Sequence, residues 1–82
     1  MKKIMVYTLS TCPWCHKTKQ FFKEQGIPFD YIDYDLADDE QQEQIRTEMS
    51  QTTRTTGFPY VKIDEDIVVG WNPQKISELL EL

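Results

Sequence analysis

The sequence predicts an α/β fold in the order βαβαββα, with a mixed sheet and helices on both of its faces. Three observations predict it. An apolar run, Ile4-Met5-Val6-Tyr7, is followed by a helical stretch and a second strand-like run, Pro28 to Tyr34; such a βαβ unit pairs its strands in parallel through a right-handed crossover. Further on, Tyr60-Val61-Lys62-Ile63 and Ile67-Val68-Val69 flank Asp64-Glu65-Asp66, the pattern of an antiparallel hairpin. The chain has 82 residues, enough for one core and too few for two, so residues 1–82 read as a single domain.

Each element has a local cause. Ile4 to Tyr7 is apolar at every position, as a strand covered on both faces is, and so belongs in the middle of the sheet. Ser10-Thr11-Cys12-Pro13 reads as a helix start, because Pro suits the first helical position. That helix should run from Pro13 to Gln25 with Cys15, Thr18 and Phe22 on one face, and Gly26 should stop it. In the Pro28–Tyr34 strand, Phe29, Tyr31 and Asp33 alternate with Asp30, Ile32 and Tyr34. Asp38 or Asp39 caps a polar helix reaching Met49, whose apolar positions are Ile45 and Met49, and Ser50 to Thr56 reads as a polar loop. Asn72-Pro73 opens the last helix, whose apolar face is Ile76, Leu79 and Leu80.

Charge excludes several classes of function. The net charge is −5, with eight acids against Arg46 between residues 30 and 51. An acidic chain without a basic stripe does not suit nucleic acid, whose binding rests on neutralising phosphates. No run of about 18 apolar residues offers a membrane span. The apolar stretch after Met1-Lys2-Lys3 is too short for a signal peptide. The expectation is a cytoplasmic monomer with neither membrane nor nucleic-acid partners.

The two cysteines lie in Cys12-Pro13-Trp14-Cys15. A disulfide closing so short a loop would add only about 2 kcal/mol, and cytoplasmic disulfides are usually transient and catalytic. Thiol–disulfide exchange needs a thiolate, a second thiol within reach and access for the partner. A strand–loop–helix junction supplies all three. Cys12 falls where helix N–H groups are unsatisfied and the dipole favours an anion. Cys15 falls one turn deeper on the same side. Cys12 is therefore the expected nucleophile and Cys15 the resolving thiol, with Pro13 and Trp14 forming the turn and Cys12–Cys15 the redox-active disulfide.

Lowering a thiol pKa from about 8.5 to about 6 raises its thiolate fraction at pH 7 about thirtyfold. Intrinsic nucleophilicity falls roughly tenfold over the same shift, so attack gains only about two- to threefold. The larger effect is on departure, since a low-pKa Cys12 leaves readily when Cys15 attacks. The dipole gives at most about 2 of the roughly 3.4 kcal/mol needed, so N–H groups near the sulfur must supply the rest.

Cys12-Pro13-Trp14-Cys15-His16 also matches the C-x-x-C-H pattern of haem attachment. That reading requires export and a large apolar cavity. Zinc needs four ligands, and Cys12, Cys15 and His16 are at most three; no metal site is expected. His16 reads as a solvated or capping residue, or as a modest positive influence on Cys12. A different class of function is an iron–sulfur carrier in which Cys12 from each of two chains binds a shared cluster.

Tyr7-Thr8 ahead of Thr11-Cys12-Pro13-Trp14-Cys15-His16, then Thr55-Thr56-Gly57-Phe58-Pro59 before a strand and Gly70 after the next, resembles glutaredoxin along nearly the whole chain. The resemblance implies the minimal thioredoxin fold, a four-stranded mixed sheet flanked by three helices. It implies a cis Pro59, electron transfer in cell redox homeostasis, and no bound cofactor. It also implies a substrate surface of Thr56, Gly57, Phe58, Pro59, Gly70 and Trp71, the Phe58 backbone pairing with an extended substrate. Two positions depart from the family. Leu9 stands where a Lys contacts a glutathione carboxylate, and Gly70-Trp71-Asn72-Pro73-Gln74 stands where two Gly and an acidic residue are usual. Each lost contact is worth about 1 kcal/mol or more. The Gly-aromatic-x-Pro run is similar to glutaredoxin-like redoxins that serve ribonucleotide reductase and are reduced by thioredoxin reductase, although those usually carry other residues between the cysteines. The expected partners are protein disulfides, with thioredoxin reductase or glutathione as electron donor. Trp14 and Trp71 would frame a hydrophobic docking surface, or else simply pack.

Overall fold

The computed structural model describes residues 2–52 and 57–82. Strand β1 (Ile4–Thr8) leads through a short loop to helix α1 (Pro13–Glu24) and strand β2 (Asp30–Asp33). A 3-10 turn (Tyr34–Leu36) precedes helix α2 (Asp39–Thr52). Strands β3 (Tyr60–Ile63) and β4 (Asp66–Val69) and helix α3 (Pro73–Leu80) complete the order. The sheet order is β2-β1-β3-β4, with β1 parallel to β2 and antiparallel to β3. This is the minimal thioredoxin-like fold, and β1 is central as its unbroken apolar run predicts.

The alternation of side chains across the strands builds two cores. Ile4, Val6, Val61, Ile63 and Val68 meet Phe22 of α1 and Ile76 of α3 on one face. Tyr7 and Tyr60 meet Ile45 and Met49 of α2 on the other. The tyrosine rings stack with centroids 5.8 Å apart. Lys62 of β3 reaches Glu48 of α2 at 2.6 Å across this second face.

The helix ends follow the expected signals. Gly26 takes φ +67°, a conformation open to glycine. It lets the Ile27 N–H close α1 on the Phe22 carbonyl at 2.9 Å. The Asp38 side chain accepts from the Gln41 N–H at 2.8 Å, and that of Asn72 from the Lys75 N–H at 3.1 Å.

Three expected boundaries are corrected. Strand β2 is shorter than Pro28–Tyr34. Pro28 has no N–H to give, the Ile27 N–H is used by α1, and the Tyr34 carbonyl is taken by Ala37, just after the 3-10 turn, and by the Gln42 side chain. Helix α2 continues past Met49 to Thr52, because neither Gly nor Pro stops it there. Residues 53–56 lie outside the described residues. Asp66 pairs with Ile63 inside β4, which leaves Asp64-Glu65 as the turn, with Asp64 at φ +53°. Among the described residues, no helix is long and apolar enough to cross a membrane.

Candidate active site at the carboxyl end of β1

The strand register brings the segments that carry Cys12, Phe58–Pro59 and Gly70 to one end of the sheet. Thr8 lies beside Asp33, Tyr7 beside Tyr60, and Tyr60 beside Val69. The chain leaving β1 toward Cys12, the Phe58–Pro59 bond entering β3 and Gly70 leaving β4 therefore share that end with the start of α1. Phe58–Pro59 is cis. Gly70, at φ +86°, donates its N–H to the Pro59 carbonyl at 2.8 Å and ties the last strand to this bond. Gly57 is also required, since a Cβ there would stand 2.9 Å from the Val69 Cγ1. The Phe58 ring packs on Tyr34 at 5.4 Å, so its side chain belongs to the α2 face. Thr56 lies outside the described residues.

Cys12 is the N-cap of α1, with extended backbone (φ −86°, ψ 119°) and Pro13 in the first helical position. Its N–H donates to the Leu9 carbonyl at 3.1 Å, and its carbonyl accepts from His16 at 3.2 Å. The two thiols are free and unequal: Cys12 is partly exposed and Cys15 is 1% exposed. Partial burial pushes the Cys12 thiol up, but the Cys15 amide and thiol and the Trp14 amide together outweigh it, and Cys12 lies below its ordinary value. Its sulfur closes no fully aligned cap hydrogen bond, so these donors act at looser geometry than a Ser or Asp cap would allow. The Cys15 thiol is pushed up to about 12, chiefly by burial and further by Cys12, against the Leu9 N–H and, least of all, Lys19, which pull it down. The Leu9 N–H reaches the Cys15 Sγ at 3.4 Å.

The loop between β1 and α1 is held from both sides. Asp35 accepts from the Ser10 N–H at 2.9 Å and from the Ser10 hydroxyl at 2.5 Å. His16 Nε2 meets the Ser10 carbonyl at 2.7 Å. His16 thus braces the loop that carries Cys12. Trp14 is 51% exposed beside the cysteines, with Lys17 Nζ 4.7 Å from its ring centroid. Trp71 packs edge-on against Phe21 at 5.8 Å, nearly two helical turns beyond Cys15. The two tryptophans thus rest on different parts of the outer face of α1. Among the described residues, no group of three or more His, Cys, Asp or Glu is arranged to hold a metal ion.

The glutaredoxin family profile matches residues 4–68. The chain belongs to the glutaredoxin family. This glutaredoxin is 40% identical over 78 residues to a glutaredoxin-like 8.6 kDa protein of the rubredoxin operon in Clostridium pasteurianum, covering 95% of this chain and 97% of that one. Its fold matches methanoredoxin of Methanosarcina acetivorans with a TM-score of 0.90 at 32% identity, over 98% of this chain and 85% of that one. It also matches the glutaredoxin-like NrdH-redoxin of Escherichia coli, described by a thioredoxin-like activity profile, with a TM-score of 0.75 at 27% identity, over 94% and 93% of the two chains. Family membership makes this protein a glutaredoxin-like thiol–disulfide oxidoreductase, with the Cys12/Cys15 pair at the family's redox position.

Sequence reasoning left several residues of the site without a role. Ser10 and Asp35 brace the loop, and Lys19 pairs with Asp33 beneath Cys15. The signal for Lys19 was its spacing, four residues after Cys15 on one helix. Asp35 had no local signal, because its partner is 25 residues away.

Proposed function

We propose that this glutaredoxin reduces disulfides of other proteins, with Cys12 as nucleophile and Cys15 as resolving thiol. The observation that carries this reading is the inequality of the two thiols: one accessible and favoured as an anion, the other buried and holding its proton. In the first step Cys12 attacks a substrate sulfur. A mixed disulfide forms, and the other substrate sulfur leaves and takes up a proton. In the second step Cys15 attacks Cys12, and the second substrate sulfur leaves as a thiol. The substrate gains two electrons and two protons, and Cys12 and Cys15 end as a disulfide. Pro13 and Trp14 form the turn that keeps the two sulfurs within reach.

Substrate contact at Thr56, Gly57, Phe58, Pro59, Gly70 and Trp71 is supported by the strand register. It carries the described residues of the Phe58 and Gly70 segments to the same sheet end as the cysteines. An extended substrate backbone would pair there with the Phe58 backbone. The donor we favour is a reductase of the thioredoxin reductase kind. Leu9 and Trp71-Asn72 replace charged contacts to glutathione. Lys17 is engaged over Trp14 and Lys19 with Asp33. The thioredoxin-like profile of the Escherichia coli NrdH-redoxin points the same way. The proposed setting is the cytoplasm, with the protein acting as a single-domain monomer.

The test has two parts. Cys15→Ser should trap a mixed disulfide on Cys12, whereas Cys12→Ser should be inactive; a Cys15→Ser protein that is inactive and traps nothing overturns the roles. The oxidised protein should be reduced faster by thioredoxin reductase with its nicotinamide cofactor than by glutathione with its reductase, and the reverse order overturns the donor.

A further inference from the structure

Resolution makes a demand that the first attack does not. Cys15 is buried with its proton, yet it must act as a nucleophile once Cys12 is tied up in a mixed disulfide. One charged cluster lies beneath it. Lys19 stands four residues after Cys15 on α1, so their side chains share a face about 6 Å apart at Cβ. Its ammonium is 3.0 Å from Asp33 Oδ1, and the two side chains are only 13% and 18% exposed. The other lysines of α1, Lys17 and Lys23, are exposed. Asp33 Oδ1 also accepts from the Thr8 hydroxyl at 2.5 Å. Thr8 is fully buried and immediately precedes Leu9, whose N–H donates to Cys15. An ion pair this sheltered loses hydration that its attraction seldom returns, and apolar side chains would join α1 to β2 at least as well.

We propose that Lys19, anchored by Asp33 and Thr8, is a positioning residue for the resolving step, its charge favouring the Cys15 thiolate as Cys15 attacks Cys12. This rests on the two-cysteine reading above. In the step, the Cys15 thiol gives up its proton and its sulfur bonds to the Cys12 sulfur. The bond from Cys12 to the substrate sulfur breaks, and the substrate sulfur takes up a proton. The titratable groups around the pair are Cys12 at the helix start, Asp33 at the end of β2 with Asp35 beyond it, and Tyr31, whose ring lies 4.0 Å from the Lys19 ammonium.

Reduced protein mixed with dithiobis(nitrobenzoate) should release nitrothiobenzoate in two phases. The first is attack by Cys12 and depends on reagent concentration; the second is resolution by Cys15 and does not. A unit charge carried on the next turn of the same helix, in a partly screened setting, is worth about tenfold. Lys19→Met should therefore slow the second phase about tenfold and raise its pH midpoint, while the first phase keeps its own midpoint. Lys19→Arg should restore the second phase. The double variant Lys19→Met/Asp33→Asn leaves no orphaned charge and should remain slow. Recovery in the double variant, equal slowing of both phases, or an unmoved second midpoint would each overturn the proposal. A wild-type protein without the concentration-independent phase would overturn the two-cysteine reading instead.

Discussion

Gly57 offers a sharp steric test of the loop that enters β3. An alanine there would bring its Cβ to 2.9 Å from Val69 Cγ1, about 0.6 Å inside the roughly 3.5 Å at which carbon contacts become favourable. Val69 is β-branched and stiff at χ1. It is also paired with Tyr60 in the sheet, so relief must come from its rotamer or from the 57–59 segment. Such overpacking costs about 1–3 kcal/mol. Val69 is 36% exposed and can yield in part. If about 1.4 kcal/mol falls on the Phe58–Pro59 segment, the aligned population drops about tenfold. Gly57→Ala should therefore lower kcat/KM for a protein disulfide about tenfold, with thermal melting measured alongside. Val69→Ala removes the clashing carbon, and Gly57→Ala on that background should cost no more than about twofold. The coupling between the two sites would then be about 1 kcal/mol. A Gly57→Ala protein with wild-type kcat/KM, or a double variant as slow as Gly57→Ala alone, refutes the steric reasoning.

Four further outcomes follow from the packing and the thiols. Iodoacetamide should alkylate Cys12 with a pH midpoint below the ordinary thiol value near 9, while native Cys15 should resist until the pH approaches about 12; mass mapping across pH checks this, and simultaneous labelling of both would contradict it. Because the folded Cys15 value is raised, the unfolded chain ionises first, so stability present below pH 9 should be lost as pH rises toward 12. For Cys12, whose folded value is lowered, the contribution is present above the unfolded value and lost as pH falls through the folded one. Melting temperatures of the reduced protein should decline on the alkaline side, and less so for Cys15→Ser. Trp71→Ala removes the edge contact to Phe21 and should lower reduction of a protein disulfide about tenfold, as loss of an aromatic anchor of about 1–2 kcal/mol would, with little effect on a small disulfide; equal losses would mean that Trp71 only packs. Phe22→Ala, at a fully buried position between α1 and the sheet, should cost about 3–5 kcal/mol in denaturant unfolding.

The sequence made legible whatever depends on neighbours along the chain. The apolar run of β1, the Pro that starts α1, the Gly that ends it and the hairpin turn each have a cause within a few residues. The thiol inequality was legible for the same reason, since one helical turn separates an exposed cap from a buried face. Contacts between distant segments were not. Asp35 reaches Ser10, Lys19 reaches Asp33, and Lys62 reaches Glu48 only because the sheet and helices have already come together. The far end of α2 is hidden in the sequence because Ser50 and Gln51 look like loop residues, although neither prevents another helical turn. The sequence offers His16 as a solvated or capping residue or a modest positive influence on Cys12; its partner is the Ser10 carbonyl, in the loop that the helix itself anchors.

The central position of β1 has a consequence for the wear of the molecule. β1 is hydrogen-bonded along both edges, whereas among the described residues β2 and β4 each have one edge without a strand beside it. Breathing of a small sheet starts at such outer strands, and amides at the centre exchange with solvent only when the whole fold opens. The strand from which the Cys12 loop springs should thus be among the last to open. Fraying of the borders can come and go without moving the mount of the nucleophile, and heat should cost this redoxin its activity all at once, at the global transition, rather than by degrees.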